Sequence, residues 1–373
     1  MKKFNLWTLL MAALAICSCS NNNDEALLPS ADQTMQVMVR IETSSLTTKA
    51  ISAPTTEGST IPIQNGTVFF ISAQGYIVSR GAINKTQLVT GQLFKGVNFS
   101  ATEVYIVANY LAGSATETKL AACTTKNEIL SLTESIVTLT GIDHLVLVNI
   151  TPTSGADAAI YDAKIKPGTP YNKAYVLLCP TLARLEITDI KTVDPVIVKY
   201  SISGLYIDNF YSAFYMACNK GGAEKRVFGG QINNLNNNTY PNRDGHEVTS
   251  DSEGTIRATS ISTGGIWCYH ATPTSEIEMD LPRIVVVFKS ITIRIGTTTR
   301  TYSNKFLTVT GYVDSTNTPI AKLEAGKIYR TPAGGFMFRY GDLTETPNPS
   351  KLEVTINMNI LPWQEIIFPP VVI

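Results

Sequence analysis

Histidine is scarce in this sequence, with three in 373 residues, and that limits the chemistry on offer. His246 opens "HEVTS", but Ser250 stands where the second ligand of a two-histidine zinc helix would be. His144 and His270 have no cysteine or carboxylate at ligand spacing, so all three read as structural residues. Also missing are a Gly-x-Ser-x-Gly elbow, a Walker-type phosphate loop and a Cys-x-x-Cys pair. The acidic loops "DSEGT" and "NRDGHE" do not space their oxygens as an EF-hand does, and they read as solvated charge. No catalytic constellation, metal site or cofactor site emerges, so the expectation is a protein that is not an enzyme. Charged residues make up only 16% of the chain, and they form no basic stripe. Nucleic acid is therefore not an expected partner.

Long apolar runs are missing too. Phe4–Ile16 follows Lys2 and Lys3 and has the length of a signal-peptide core, too short to span a bilayer. "ICSCSNNNDE" comes next. Cys19 has Ser18 before it and Ile16 three back, which suits a lipidated cysteine; Cys17 follows bulky Ile16 and suits it less. A plain secretory peptide containing two cysteines is the bland alternative. The expectation is a lipoprotein signal over 1–18, acyl chains such as palmitate on Cys19 anchoring the chain to a membrane, and Ser20–Glu25 as a tether. From Cys19 onward 355 residues remain, with 28 basic and 30 acidic side chains, a net of about −2. Cys123, Cys179, Cys218 and Cys268 stand far apart in apolar surroundings. Buried free thiols are the simpler reading, although export permits disulfides.

What is abundant is period-2 alternation. Strands are expected at Thr67–Ser72, Glu103–Asn109, His144–Ile150, Ala174–Leu178, Leu182–Ile187, Val196–Ile202 and Tyr211–Met216. Arg283–Lys289, Ile291–Ile295 and Lys305–Val313 follow, and Leu352–Ile360 alternates without a break. The best helical candidate is Thr125–Thr133, a short surface helix, while Ile232–Gly245 is the most loop-like segment. Gly204–Met216 is rich in aromatic residues, which could stack on sugars or equally be the core and surface rings of a strand. The class is all-β with minor helices, and the length suits two β-sandwich domains, 50–180 and 181–363, hinged near Cys179–Pro180.

Both ends of the chain raise the same question. Met35, Val37, Val39 and Ile41 form the apolar face of a strand that belongs in a core, yet a Ser/Thr-rich stretch holding Lys49 follows. Burying those four side chains contributes roughly 6–12 kcal/mol, at about 1.5–3 kcal/mol each. At the other end, Gln364–Ile373 crowds Ile366, Ile367, Phe368, Val371, Val372 and Ile373 around Pro369 and Pro370. That tail either folds back as a last edge strand or pairs with another molecule's sheet.

The lipobox with "CSNNNDE", the run "VMVRIETSSLTTKA", "VYIVAN", "LLCPTLARLEI", "LEAGKIYR" and a last strand ending at "LPW" occur in this order. In that order they resemble the fimbrillins, the type V pilins of Bacteroides and Porphyromonas relatives. The resemblance implies two transthyretin-like β-sandwiches, and an outer-membrane lipoprotein precursor that becomes part of a cell-surface fimbrium. It implies a trypsin-like surface protease cutting between Lys49 and Ala50, with Arg40 as the second choice. Many relatives have arginine at the position of Lys49, so the lysine here departs from an arginine-specific cut. Residues 19–49 would then be a propeptide. Loss of its strand, Met35, Val37, Val39 and Ile41, would open a groove for a neighbour's C-terminal strand. Residues 364–373 would be that donor, and the partners would be copies of the chain or related pilins. The rival readings are a monomeric surface lipoprotein binding a glycan or host ligand, and a tip adhesin of the same pilus.

Overall fold

The computed structural model describes residues 33–43, 63–87, 90–135, 145–150, 161–218, 221–226, 248–250, 256–258, 267–274, 281–332, 335–347 and 354–362. Alternation becomes strand almost throughout. The first half gives β1 (Thr34–Thr43), β2 (Gly66–Ser72), β3 (Ile77–Ala82), β4 (Gln92–Asn98) and β5 (Ala101–Ala108). Two helices follow, α1 (Ala115–Ala122) and α2 (Lys126–Ser131), then β6 (Thr133–Ser135), β7 (Leu147–Ile150) and β8 (Tyr171–Pro180). Next come β9 (Ala183–Ile187), β10 (Ile190–Thr192), β11 (Ile197–Asp208), β12 (Phe210–Tyr215) and β13 (Gly221–Arg226). Short β14 (Val248–Ser250), β15 (Ile256–Ala258) and β16 (Trp267–Ala271) lead into the long pair β17 (Arg283–Ile295) and β18 (Thr298–Val313). The last strands are β19 (Lys327–Arg330), β20 (Phe336–Phe338), β21 (Val354–Asn357) and β22 (Asn359–Pro362). The protein is all-β with two short helices among its described residues.

β1 to β5, β7 and β8 make one seven-stranded sheet in the order β3-β2-β5-β7-β8-β1-β4. The later strands supply two four-stranded sheets, β11-β17-β18-β21 and β16-β9-β19-β22. β6 leaves the first group and pairs with β12, so the two halves of the chain share a small sheet. Buried apolar side chains form one connected cluster that includes both Met35 and Met358.

Local chemistry accounts for the helices. Thr125 caps α2 in a capping box, its hydroxyl accepting from the Glu128 N–H while Glu128 reaches back to the cap backbone. Ser114 caps α1 through the Glu117 N–H, an N-terminal signature that was present in the sequence. The expected helix list omitted α1 because only Thr116 and Leu120 are buried, too few to print an apolar stripe.

Two strand expectations need correction. Arg283–Lys289 and Ile291–Ile295 form one strand, β17. Its residues are buried without a break from Ile284 to Phe288 and then only at Ile291 and Ile293, and the register with β11 shifts between the two stretches. Leu352–Ile360, expected as one strand, is two among its described residues. β21 runs parallel to β18 in one sheet, and after Met358 the chain enters the other sheet as β22, antiparallel to β19. Met358 is fully buried at this switch, while Ile360 beyond it is exposed.

Candidate functional site: the slot held by the first strand

β1 sits inside its sheet, one place from the edge. It runs parallel to β8 and antiparallel to β4, and in sequence it adjoins neither wall. Met35, Val37, Val39 and Ile41 are buried, three of them at 1% exposure or less, so the alternation read from the sequence sets the core-facing side. Gln36 is exposed on the other side, and Met38 and Arg40 are half-buried there. Met38 and Arg40, with Tyr171, Lys173 and Tyr175 of β8, line a shallow cleft of about 230 Å³.

The two walls overlap only partly. β4 pairs with Thr34 to Val39, with a register shift between Met35 and Val37. β8 pairs with Gln36 to Thr43. Among the described residues, Val37–Val39 are therefore held from both sides. Further bonds pin the start of the strand: the Gln36 N–H donates to Pro170 O at 2.8 Å, and the Phe99 N–H donates to Gln33 O at 3.1 Å. Buried Asn172 braces the turn before β8 by donating to Lys166 O and Thr169 O, and its amide reaches the Met35 sulfur at 3.2 Å.

β4 is secured from its other side as well. The Asn98 N–H donates to Ser79 Oγ at 3.0 Å, and Gln92 Nε2 donates to Ala82 O at 2.9 Å. The Phe94 ring lies over Gly81 and meets Phe70 edge-on, with ring centroids 5.4 Å apart. The sheet thus curls until its two edge strands, β3 and β4, touch through side chains.

Of the residues singled out in the sequence, the structure brings Met35, Val37, Val39 and Ile41 together in the slot. Cys19, Lys49, Ala50 and the tail residues Ile366, Ile367, Phe368, Val371, Val372 and Ile373 lie outside the described residues, as do His144 and His246. Arg40, the second choice for cutting, is paired with Tyr175 within β1. A protease would have to unzip the strand to reach it. Phe210 and Phe214 of the aromatic stretch are buried core rings.

Cys123, Cys179 and Cys218 are free thiols, and burial pushes Cys179 up to about 12. Sequence reasoning missed a buried charge cluster on β9. Glu186 accepts from Arg184 Nε and from Arg330 Nε, both at 2.6 Å, while Arg184 Nη1 lies 3.5 Å from His270 Nε2. The alternation in "LARLEI" held the signal, Arg184 and Glu186 two apart on one face of a strand whose residues are all buried. Among the described residues no group of three or more His, Cys, Asp or Glu is placed to hold a metal.

No protein-family model and no curated protein matches the chain. Two crystal structures match it over nearly its whole length, each of a "putative cell adhesion protein" from Parabacteroides distasonis ATCC 8503. One has a TM-score of 0.52 at 14% identity, covering 91% of this chain and 99% of that one. The other has a TM-score of 0.50 at 11% identity, covering 89% and 100%.

This chain shares their fold.

A fimbrilin from Porphyromonas gingivalis W83 is similar at a TM-score of 0.46 and 12% identity, covering 90% of this chain and 99% of that one.

Proposed function

We propose that the chain is a structural subunit, of stalk type, of a cell-surface fimbria. In this reading the precursor is anchored to the outer membrane through a lipid on Cys19, and a trypsin-like surface protease cuts it between Lys49 and Ala50. β1 then leaves the sheet, and the tail Gln364–Ile373 of another copy takes its place. The observation that carries the reading is the position of β1. It is an interior strand with a buried apolar face, and one broken peptide bond within 44–62 separates it from the rest of its sheet.

Other features support the same reading. β4 is fastened to β3 independently of β1, so the far wall of the slot keeps a hold when β1 is absent. Eleven residues follow β22, an edge strand, which is chain enough to reach outward. Pro369 and Pro370 lack ladder donors, and among the described residues of β1 only Val37–Val39 pair on both sides, which leaves positions for them. The two Parabacteroides distasonis proteins are named for cell adhesion, a role that suits a surface polymer. Contacts repeated head to tail between identical copies make an open filament.

The test is protease treatment of the full chain followed by gel analysis. SDS-resistant ladders should appear, and deleting Gln364–Ile373 should abolish them while leaving a folded monomer. Polymerisation of the truncated chain would show that the tail is not the donor. A cut chain that keeps β1 and stays monomeric would remove strand exchange and leave the monomeric binder.

A further inference from the structure

We infer that the outer face of β8 and β1 carries a binding site for an acidic oligosaccharide, laid along the strands over Tyr171, Lys173 and Tyr175. The site goes beyond the fimbrial reading and stands whether or not strands are exchanged.

Tyr171, Lys173 and Tyr175 alternate with buried Asn172, Ala174 and Val176 along β8, so all three project from the side of the sheet away from the core. They are exposed there, Tyr171 at 45% and Tyr175 at 37%. At ~3.3 Å per residue the two tyrosines are rooted about 13 Å apart, with Lys173 midway. β1 runs alongside and sets Gln36 beside Tyr171, Met38 beside Lys173 and Arg40 beside Tyr175. Met38 lies against Gly91 in the turn before β4, and Thr90 of that turn completes the lining of the cleft. Three separate segments thus shape one concavity with two aromatic rings on it.

The chemistry of these side chains selects the ligand. A tyrosine ring offers a flat apolar face to the C–H face of a sugar and a hydroxyl to its polar rim, at little conformational cost. Lys173 adds a charged donor for a carboxylate, and Arg40 puts a second cation in the lining. No aspartate or glutamate is among the described residues that line the cleft. At about 230 Å³ it is smaller than a usual small-molecule pocket, so the occupant lies across it and is not enclosed. The rings stand further apart than a single sugar reaches, which calls for a chain of sugars. A nucleic acid would also stack on tyrosines, but it carries a phosphate at every unit and is held by a basic groove. Here the described lining has two cations, and the whole chain has a formal net charge of zero. Sparse carboxylates, with neutral sugar faces between them, match one lysine set between two rings.

The test measures fluorescence anisotropy of labelled hyaluronan and oligogalacturonate octasaccharides on the uncut full chain. At least one of these acidic probes should bind saturably. Lys173→Gln should weaken that binding about fivefold or more, through loss of the charged donor. Tyr171→Ala and Tyr175→Ala should each weaken it about fivefold, whereas Tyr175→Phe, which keeps the ring, should stay within about twofold. All of these side chains are exposed, so the thermal midpoint of each variant should match that of the parent chain. A neutral chito-octasaccharide that binds as tightly as the acidic probes would overturn recognition of the acid group. Tighter binding of oligothymidylate would overturn the sugar assignment and give the face to nucleic acid. Failure of both acidic probes to bind, or binding that none of the alanine and glutamine substitutions moves, would overturn the site itself. None of these results bears on the SDS-resistant ladders that test strand exchange, so the two readings fail separately.

Discussion

Arg184 and Glu186 have no exposed side-chain surface, and charges so placed persist only when paired and hydrogen-bonded. Removing Glu186 leaves Arg184 without that carboxylate, so Glu186→Ala should cost about 3–5 kcal/mol in a urea titration. His270 lies beside this cluster, and burial first, then the Arg184 charge, push it down to about 3. The unfolded chain takes up a proton at this histidine as pH falls through about 6.5, whereas the folded protein does not until about 3. Its stabilising contribution is therefore complete above 6.5 and lost as pH falls from there towards 3. Denaturation series from pH 7.5 to 4 should show this loss at roughly 1 kcal/mol per pH unit, and His270→Gln should remove that part of the slope. Backbone position matters at this scale as well. Gly75 and Gly335 both have left-handed φ, but a Cβ at Gly75 would meet open space, whereas one at Gly335 would lie 1.8 Å from Asp189 O. Gly75→Ala should cost about 1–2 kcal/mol of conformational strain. Gly335→Ala should cost clearly more by thermal melting, because the obstacle is backbone and cannot turn aside.

The element that decides the reading is β1. Val37→Asp would put a carboxylate at a position with no exposure, at a cost of several kcal/mol unless the strand leaves. The expected outcome is expulsion of β1, detected as rapid tryptic cutting after Arg40, a bond the native ladder protects. Much at this scale was legible in the sequence. Strict alternation marked β1 and the burial of its four apolar residues, and it placed most of the other strands. Its walls were not legible, because β8 and β4 meet β1 through pairings between distant segments, and no local period records a distant partner. The switch at Met358 was hidden for a related reason: alternation carries on unbroken while the strand changes sheets. The joining of two runs into β17 was hidden because Lys289 and Ser290, exposed and half-buried, interrupt the apolar pattern as the end of a strand would. Lys49, Cys19 and the tail were readable only as sequence patterns and lie outside the described residues.

For the whole molecule, the strand-exchange proposal makes β1 a ligand that happens to be attached. Once cut, the protein's stability should depend on how much free strand is present, because whatever binds only the folded form stabilises it by mass action. The thermal midpoint of the cut chain should rise with added Thr34–Thr43 peptide, while that of the uncut chain should not move. Asn172, which meets Met35, lies 137 positions further along the chain, and that separation has a consequence for biogenesis. β4 leaves the ribosome well before β8, so β1 can find its antiparallel neighbour while its parallel one does not yet exist. The two-sided slot around Val37–Val39 is therefore completed only when a segment made much later in the chain arrives.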